Sequence, residues 1–221
     1  MSSSLLSPSS AAFLCCDVQE KFRTLIRAMD SVIDVAKYMV RASSVLNVPL
    51  IVTEQVSGCP VCLSPAPSAA PALRAGAVQA PHLFGATVPE IPIADPSPPQ
   101  LLRFTKSKFS MMTDEVSAAL RSRPAVTQCV LFGIEAHVCV LQTALDLRGA
   151  GYAVHVLVDG TSSQRTFDRT YAFRRMEQSG VLLTTSESCL LQLTRDAAAP
   201  HFKAVAALLK EQNRARPDPM L

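Results

Sequence analysis

Three residues of different chemistry each stand just past a short apolar run: Asp17, Lys106 and Cys139. A thiol, a carboxylate and an ammonium together suit nucleophilic catalysis. The thiol attacks, the carboxylate takes its proton and later gives it to a leaving group, and the ammonium favours the thiolate by charge. Cys139 lies in Gly133-Ile134-Glu135-Ala136-His137-Val138-Cys139, where a buried strand pattern gives way to helical spacing. The first turn of a helix carries unpaired N–H groups and a partial positive charge. Both bias a thiol toward thiolate, and the same N–H groups can hold an oxyanion. Taken singly, each position has a plain alternative: a capping aspartate, a solvated lysine, a small thiol that only packs. Spacing alone also leaves Lys108 open beside Lys106.

These groups meet only if the elements beneath them end on one edge. Apolar runs at 11–16, 48–52, 101–104, 129–132, 152–158 and 181–184 predict six strands. Thr53-Glu54-Gln55 closes the second run and Asp159-Gly160 the fifth. Helical spacing covers 29–46, 113–123 (with Thr113 as N-cap), 138–147, 163–178, 186–193 and 202–209. Strands alternating with helices predict an α/β, single-domain, doubly wound six-stranded parallel sheet with helices on both faces. All carboxyl ends of such a sheet lie on one edge, so Asp17, Lys106 and Cys139 can converge. The domain is expected over residues 11–210, between a disordered Ser-rich tail at 1–10 and a C-terminal tail at 211–221. Residues 57–99 hold ten of the sixteen prolines and read as a long loop. Adjacent Cys15 and Cys16 should face opposite sides of their strand and read as core fillers.

Composition narrows the function. The chain of 221 residues is 48% hydrophobic and 18% charged, which is globular. A net charge of +3 is too small to argue for nucleic acid or a membrane surface. No apolar run reaches transmembrane length. The odd count of seven cysteines points to free thiols in a reducing compartment. Cys59-Pro60-Val61-Cys62 lacks the second ligand pair that a zinc site needs, so it reads as two incidental thiols. Neither a P-loop nor a dinucleotide fingerprint occurs, and no cofactor is expected. The N-terminus lacks a charged signal-peptide start and the arginines of a transit peptide, so a cytoplasmic location is expected.

Three runs in order, Cys16-Asp17-Val18-Gln19, Lys106-Ser107-Lys108-Phe109-Ser110 and Gly133 through Ala144, resemble the isochorismatase-like cysteine hydrolases. The resemblance spans roughly residues 11–209 outside the proline-rich stretch. Thr53-Glu54-Gln55 and Thr184-Thr185-Ser186-Glu187 look most like the subgroup of isochorismatase domain-containing protein 2. Some members of that subgroup carry a mitochondrial ribonuclease label, which adds a mitochondrial location as a second expectation. The resemblance implies an Asp-Lys-Cys triad at Asp17, Lys106 and Cys139, the lysine lying four residues before the serine that matches Ser110. It implies a non-proline cis peptide at Ile134–Glu135, with the backbone N–H groups of Glu135 and Cys139 as an oxyanion hole. It also implies a homo-oligomer of two or more copies.

Departures from the family pattern shape the substrate. Family nicotinamidases bind a metal through an aspartate and two histidines after the second strand. Residues 52–62 contain no histidine, so no metal is expected and nicotinamide is a poor fit. Isochorismatases proper cleave a vinyl ether without a nucleophilic cysteine, whereas Cys139 points toward amide or related acyl chemistry. The proline-rich stretch is longer than the subgroup pattern, with an apparent insertion at 57–81. The expectation is a hydrolase acting on a small amide or related C–N substrate. A ribonuclease or RNA-associated protein is the alternative, against which stands the lack of a basic stripe with interleaved aromatics. An inactive scaffold is the third reading.

Overall fold

The computed structural model describes residues 5–56, 84–93 and 100–215. Most of the proline-rich stretch, including Cys59, Cys62 and the apparent insertion, lies outside the described residues, as do residues 1–4 and 216–221. Six parallel strands form one sheet in the order β3-β2-β1-β4-β5-β6. They are β1 (Ala11–Cys16), β2 (Leu50–Gln55), β3 (Leu101–Lys106), β4 (Gln128–Ile134), β5 (Ala153–Ser162) and β6 (Leu182–Thr184). Between them run α1 (Met29–Leu46), α2 (Asp114–Arg121), α3 (Leu141–Gly149) and α4 (Thr166–Gln178), and after β6 come α5 (Ser186–Thr194) and α6 (Phe202–Ala215).

The sheet divides the core in two. Phe13, Cys15, Val52, Val130 and Phe132 face a layer built from α1, α5 and α6. Ala12, Leu14, Cys16, Ile51 and Leu131 face α2, α3 and α4. Each central strand is apolar on both sides because both sides are covered, which is why β1, β2 and β4 lack a polar alternation. Cys15 and Cys16 fall on opposite faces, as their alternation predicts.

Local chemistry sets the ends. The Thr113 side chain accepts the Val116 N–H at the start of α2, and Thr185 accepts the Ser188 N–H at the start of α5. Asn47 ends α1 in the left-handed region, which asparagine tolerates. Four strands outrun their sequence expectations, β4 by running from Gln128 to Ile134. β2 and β3 extend through Gln55 and Lys106, paired residue for residue, so polar residues at 53–55 and 105–106 belong to the ladder rather than to turns. β5 continues through Asp159-Gly160 to Ser162, past a register irregularity against β4. α6 is longer too, running to Ala215 rather than ending at Leu209.

Candidate active site

The strand order reverses between β1 and β4, and the side chains beyond their carboxyl ends meet there. Asp17 follows β1 directly, with a left-handed backbone (φ 52°) that aspartate adopts more readily than most residues. That turn aims its carboxylate inward, where it is buried. Oδ1 accepts from the Thr53 hydroxyl at 2.8 Å and Oδ2 from Lys106 Nζ at 2.6 Å. Thr53 is available because β1 and β2 pair Cys16 with Thr53.

Lys106 is the last residue of β3, and its ammonium is fully enclosed. Besides Asp17 it donates to Gln55 Oε1 at 2.6 Å and to the carbonyls of Phe109 (2.8 Å) and Lys108 (3.2 Å). Gln55 in turn is fixed by its neighbours. Its N–H donates to Gln19 Oε1 and its Nε2 to the Ser107 carbonyl, each at 2.8 Å. Lys108 points elsewhere, donating to the Met112 carbonyl and lying 3.5 Å from Asp146. Geometry thus separates the two lysines that spacing leaves open.

Cys139 arrives from β4. The Ile134–Glu135 peptide is cis, and a π-helical turn, Ala136–Val140, then leads into α3. The chain turns so tightly that Gly133 (φ 121°) has no room for a side chain. A Cβ there would stand 2.2 Å from the Cys16 carbonyl oxygen. The Glu135 carbonyl accepts from the N–H groups of Val138 and Val140, closing the turn. The Thr143 hydroxyl donates to the Cys139 carbonyl at 2.6 Å and accepts the Met111 N–H at 2.8 Å, tying the turn to the loop after β3. Cys139 keeps 8% of its surface open to solvent.

Three groups therefore converge: the thiols of Cys139 and Cys16 and a carboxylate oxygen of Asp17 all lie within 4.8 Å of one another. Burial pushes the Asp17 carboxyl above its ordinary value, with Lys106 and Thr53 pulling against it. Burial alone would lower the Lys106 ammonium, but Cys16, Asp17 and Cys139 outweigh it and hold it above its ordinary value. Burial likewise raises the Cys16 thiol, and Cys139 and Asp17 add to the effect. The same two thiols and carboxylate are the one set of potential metal ligands among the described residues. The ammonium against Asp17 already supplies positive charge there, and a cation would have to displace it. Cys16, Thr53, Gln55 and Gln19 enter the site although the sequence reading gave none of them a role there. The signal for Thr53 and Gln55 is strand pairing, which sets them beside Cys16 and Lys106.

Residues 84–93, the described part of the proline-rich stretch, pack beside Gln19 and Glu54. Thr87 pairs with Gln19, and its N–H and hydroxyl both donate to the buried Glu54 carboxylate, at 2.8 and 2.6 Å. Gln19 Nε2 donates to the Gly85 carbonyl at 2.7 Å, and Phe84 stacks on Phe22 at 5.0 Å. Beyond Cys139, His137 Nδ1 lies 3.0 Å from the Ser163 hydroxyl, and the Glu135 carboxylate accepts from the Gln164 N–H.

The family model of the isochorismatase domain matches residues 11–188. The chain belongs to the isochorismatase family. It is 40% identical to isochorismatase domain-containing protein 2 of Xenopus laevis, over 93% of this chain and 86% of that one. Isochorismatase domain-containing protein 1 of Danio rerio is 38% identical over 93% of this chain, which spans only 62% of that relative's length. Among solved structures, the MAR1 ribonuclease from Caenorhabditis elegans superposes with a TM-score of 0.81 at 34% identity, covering 99% of this chain and 97% of that one.

Proposed function

We propose that the chain is a cysteine hydrolase that cleaves a small amide or related C–N bond. The observation that carries this reading is a Lys106 ammonium 2.6 Å from a buried Asp17 carboxylate, with the Cys139 thiol within 4.8 Å of that carboxylate. Asp17 takes the thiol proton as Cys139 attacks the carbonyl carbon, and passes it to the departing nitrogen. Lys106 keeps Asp17 ionised and oriented. The N–H groups of Glu135 and Cys139 receive the negative charge that builds on the carbonyl oxygen. Water then adds to the thioester as Asp17 takes its proton, the C–S bond breaks, and Asp17 returns the proton to the Cys139 sulfur as the acid product leaves. Cys139→Ala removes the nucleophile and leaves the ion pair in place. A screen of small amides and carbamates should find turnover by the wild type and none by this variant. Equal turnover by both would remove the reading.

A second reading is cleavage of RNA. Its support is the name of the C. elegans relative and a feature of α4: Arg165 stacks on the exposed Phe167 and Arg174 on the exposed Tyr171, at 5.8 and 5.3 Å. Arg–aromatic pairs of this kind can stack unpaired bases. RNA cleavage by the purified protein that persists in Cys139→Ala would favour this reading over the first.

The same exposed Phe167 and Tyr171 support a homo-oligomer, since large apolar groups on one helix face suit an interface. Five buried free thiols among the described residues suit a reducing compartment, cytoplasmic or mitochondrial. No helix among the described residues is long and apolar enough to cross a membrane.

A further inference from the structure

The hydrolytic reading uses one thiol of a pair. Cys16 lies fully buried with its Sγ within 4.8 Å of Cys139 Sγ and 3.6 Å from Asp17 Oδ2. The two cysteines differ in access: Cys139 is partly open to solvent and Cys16 is sealed behind it. Their sequence separation is 123 residues, so only the meeting of β1 with the turn after β4 brings them together. None of the other described cysteines shares the site. Cys15 points to the opposite face of the sheet, Cys129 lies at the far end of β4, and Cys189 packs under α1 with α5.

We propose that Cys139 is a site of reversible oxidation and that Cys16 is its resolving partner. This rests on the reading of Cys139 as a reactive thiol. Hydrogen peroxide oxidises Cys139 to a sulfenic acid, one oxygen transferring to sulfur and one water leaving. Cys16 sulfur then attacks the sulfenyl sulfur. The S–S bond forms as the S–O bond breaks, Asp17 accepts the Cys16 proton, and the hydroxyl departs with that proton as a second water. Two thiols lose two electrons in all, and one peroxide becomes two waters. Reaching a bond of about 2.05 Å requires the two sulfurs to close the remaining gap. A dithiol reductant reverses the step. The disulfide holds the nucleophile out of reach of further oxidation to the sulfinic acid, which is irreversible for most proteins.

Peroxide treatment of the full chain, followed by non-reducing proteolysis and mass spectrometry, tests this. The expected product is a Cys16–Cys139 linked peptide two hydrogens lighter than the sum of its parts. Dithiothreitol should then restore full alkylation of Cys139. In Cys16→Ser and in Cys16→Ala, circular dichroism confirming the fold, the same treatment should drive Cys139 to sulfinic acid, with loss of that recovery. Linkage of Cys139 to Cys59, Cys62 or a second copy, or equal recovery with and without Cys16, overturns the proposal. Iodoacetamide labelling of the reduced wild type reports separately on Cys139 reactivity. Fast labelling without the linked peptide defeats the resolving role alone. Slow labelling and no linked peptide defeats both.

Discussion

At the scale of single residues, the site is governed by a buried ion pair that neither partner can leave cheaply. Removing one member strands the other charge, at a cost of roughly 3–5 kcal/mol. Lys106→Met should therefore lower stability by about that amount, and Asp17→Asn likewise, whereas the double variant should lose much less than their sum. Denaturant unfolding of the four proteins measures this, and strict additivity would mean the contact contributes nothing. The raised Asp17 carboxyl has a kinetic signature. A base must be ionised to act, so activity falls as pH drops through its value, and the acid limb should lie above the ordinary aspartate value of 3.8. Thr53→Val removes a hydrogen bond that favours the ionised form and should move that limb upward by about one pH unit. A pH–rate profile of kcat/KM reads both. An unmoved limb would mean that another group controls it.

At the scale of elements, Gly133 is the point where β4 meets β1. Any side chain there collides with the Cys16 backbone, one residue before Asp17. Gly133→Ala should lower stability by more than about 3 kcal/mol, or roughly 10 °C in melting temperature, and a protein that melts like wild type would contradict the packing described. The sequence made this element order legible because the central strands β1, β2 and β4 carry short apolar runs and each helix has its own period. It disclosed strand ends poorly. Thr53, Glu54, Gln55, Thr105 and Lys106 are polar, and residues of that type usually mark turns. Here Thr53, Glu54, Gln55 and Lys106 have partners only the assembled sheet provides: Thr53 on Asp17, Gln55 on Lys106, Glu54 on Thr87. Asp17, Lys106 and Cys139 could be picked out because reactive groups stood just past apolar runs. Cys16 could not, since a cysteine inside such a run looks like filler until the turn after β4 is folded against it.

At the scale of the whole molecule, the described residues build a core layer on each face of the sheet, yet Phe167 and Tyr171 on α4 remain more than half exposed. Light scattering after size exclusion should give at least twice the 23.7 kDa of one chain, and Phe167→Ser with Tyr171→Ser should shift it toward monomer. A wild type that is monomeric at micromolar concentration would leave that face without an assigned partner. The left-handed turn at Asp17 reaches furthest beyond this one chain. Aspartate, asparagine and glycine enter that backbone region with least cost, and most other residues are disfavoured there. On the hydrolytic reading proposed above, a descendant that gave up catalysis yet kept the sheet would be channelled toward asparagine or glycine at this position. The residue at the equivalent of position 17 thus serves as a fossil record, distinguishing a lineage retired from catalysis with its architecture preserved from one simply decaying.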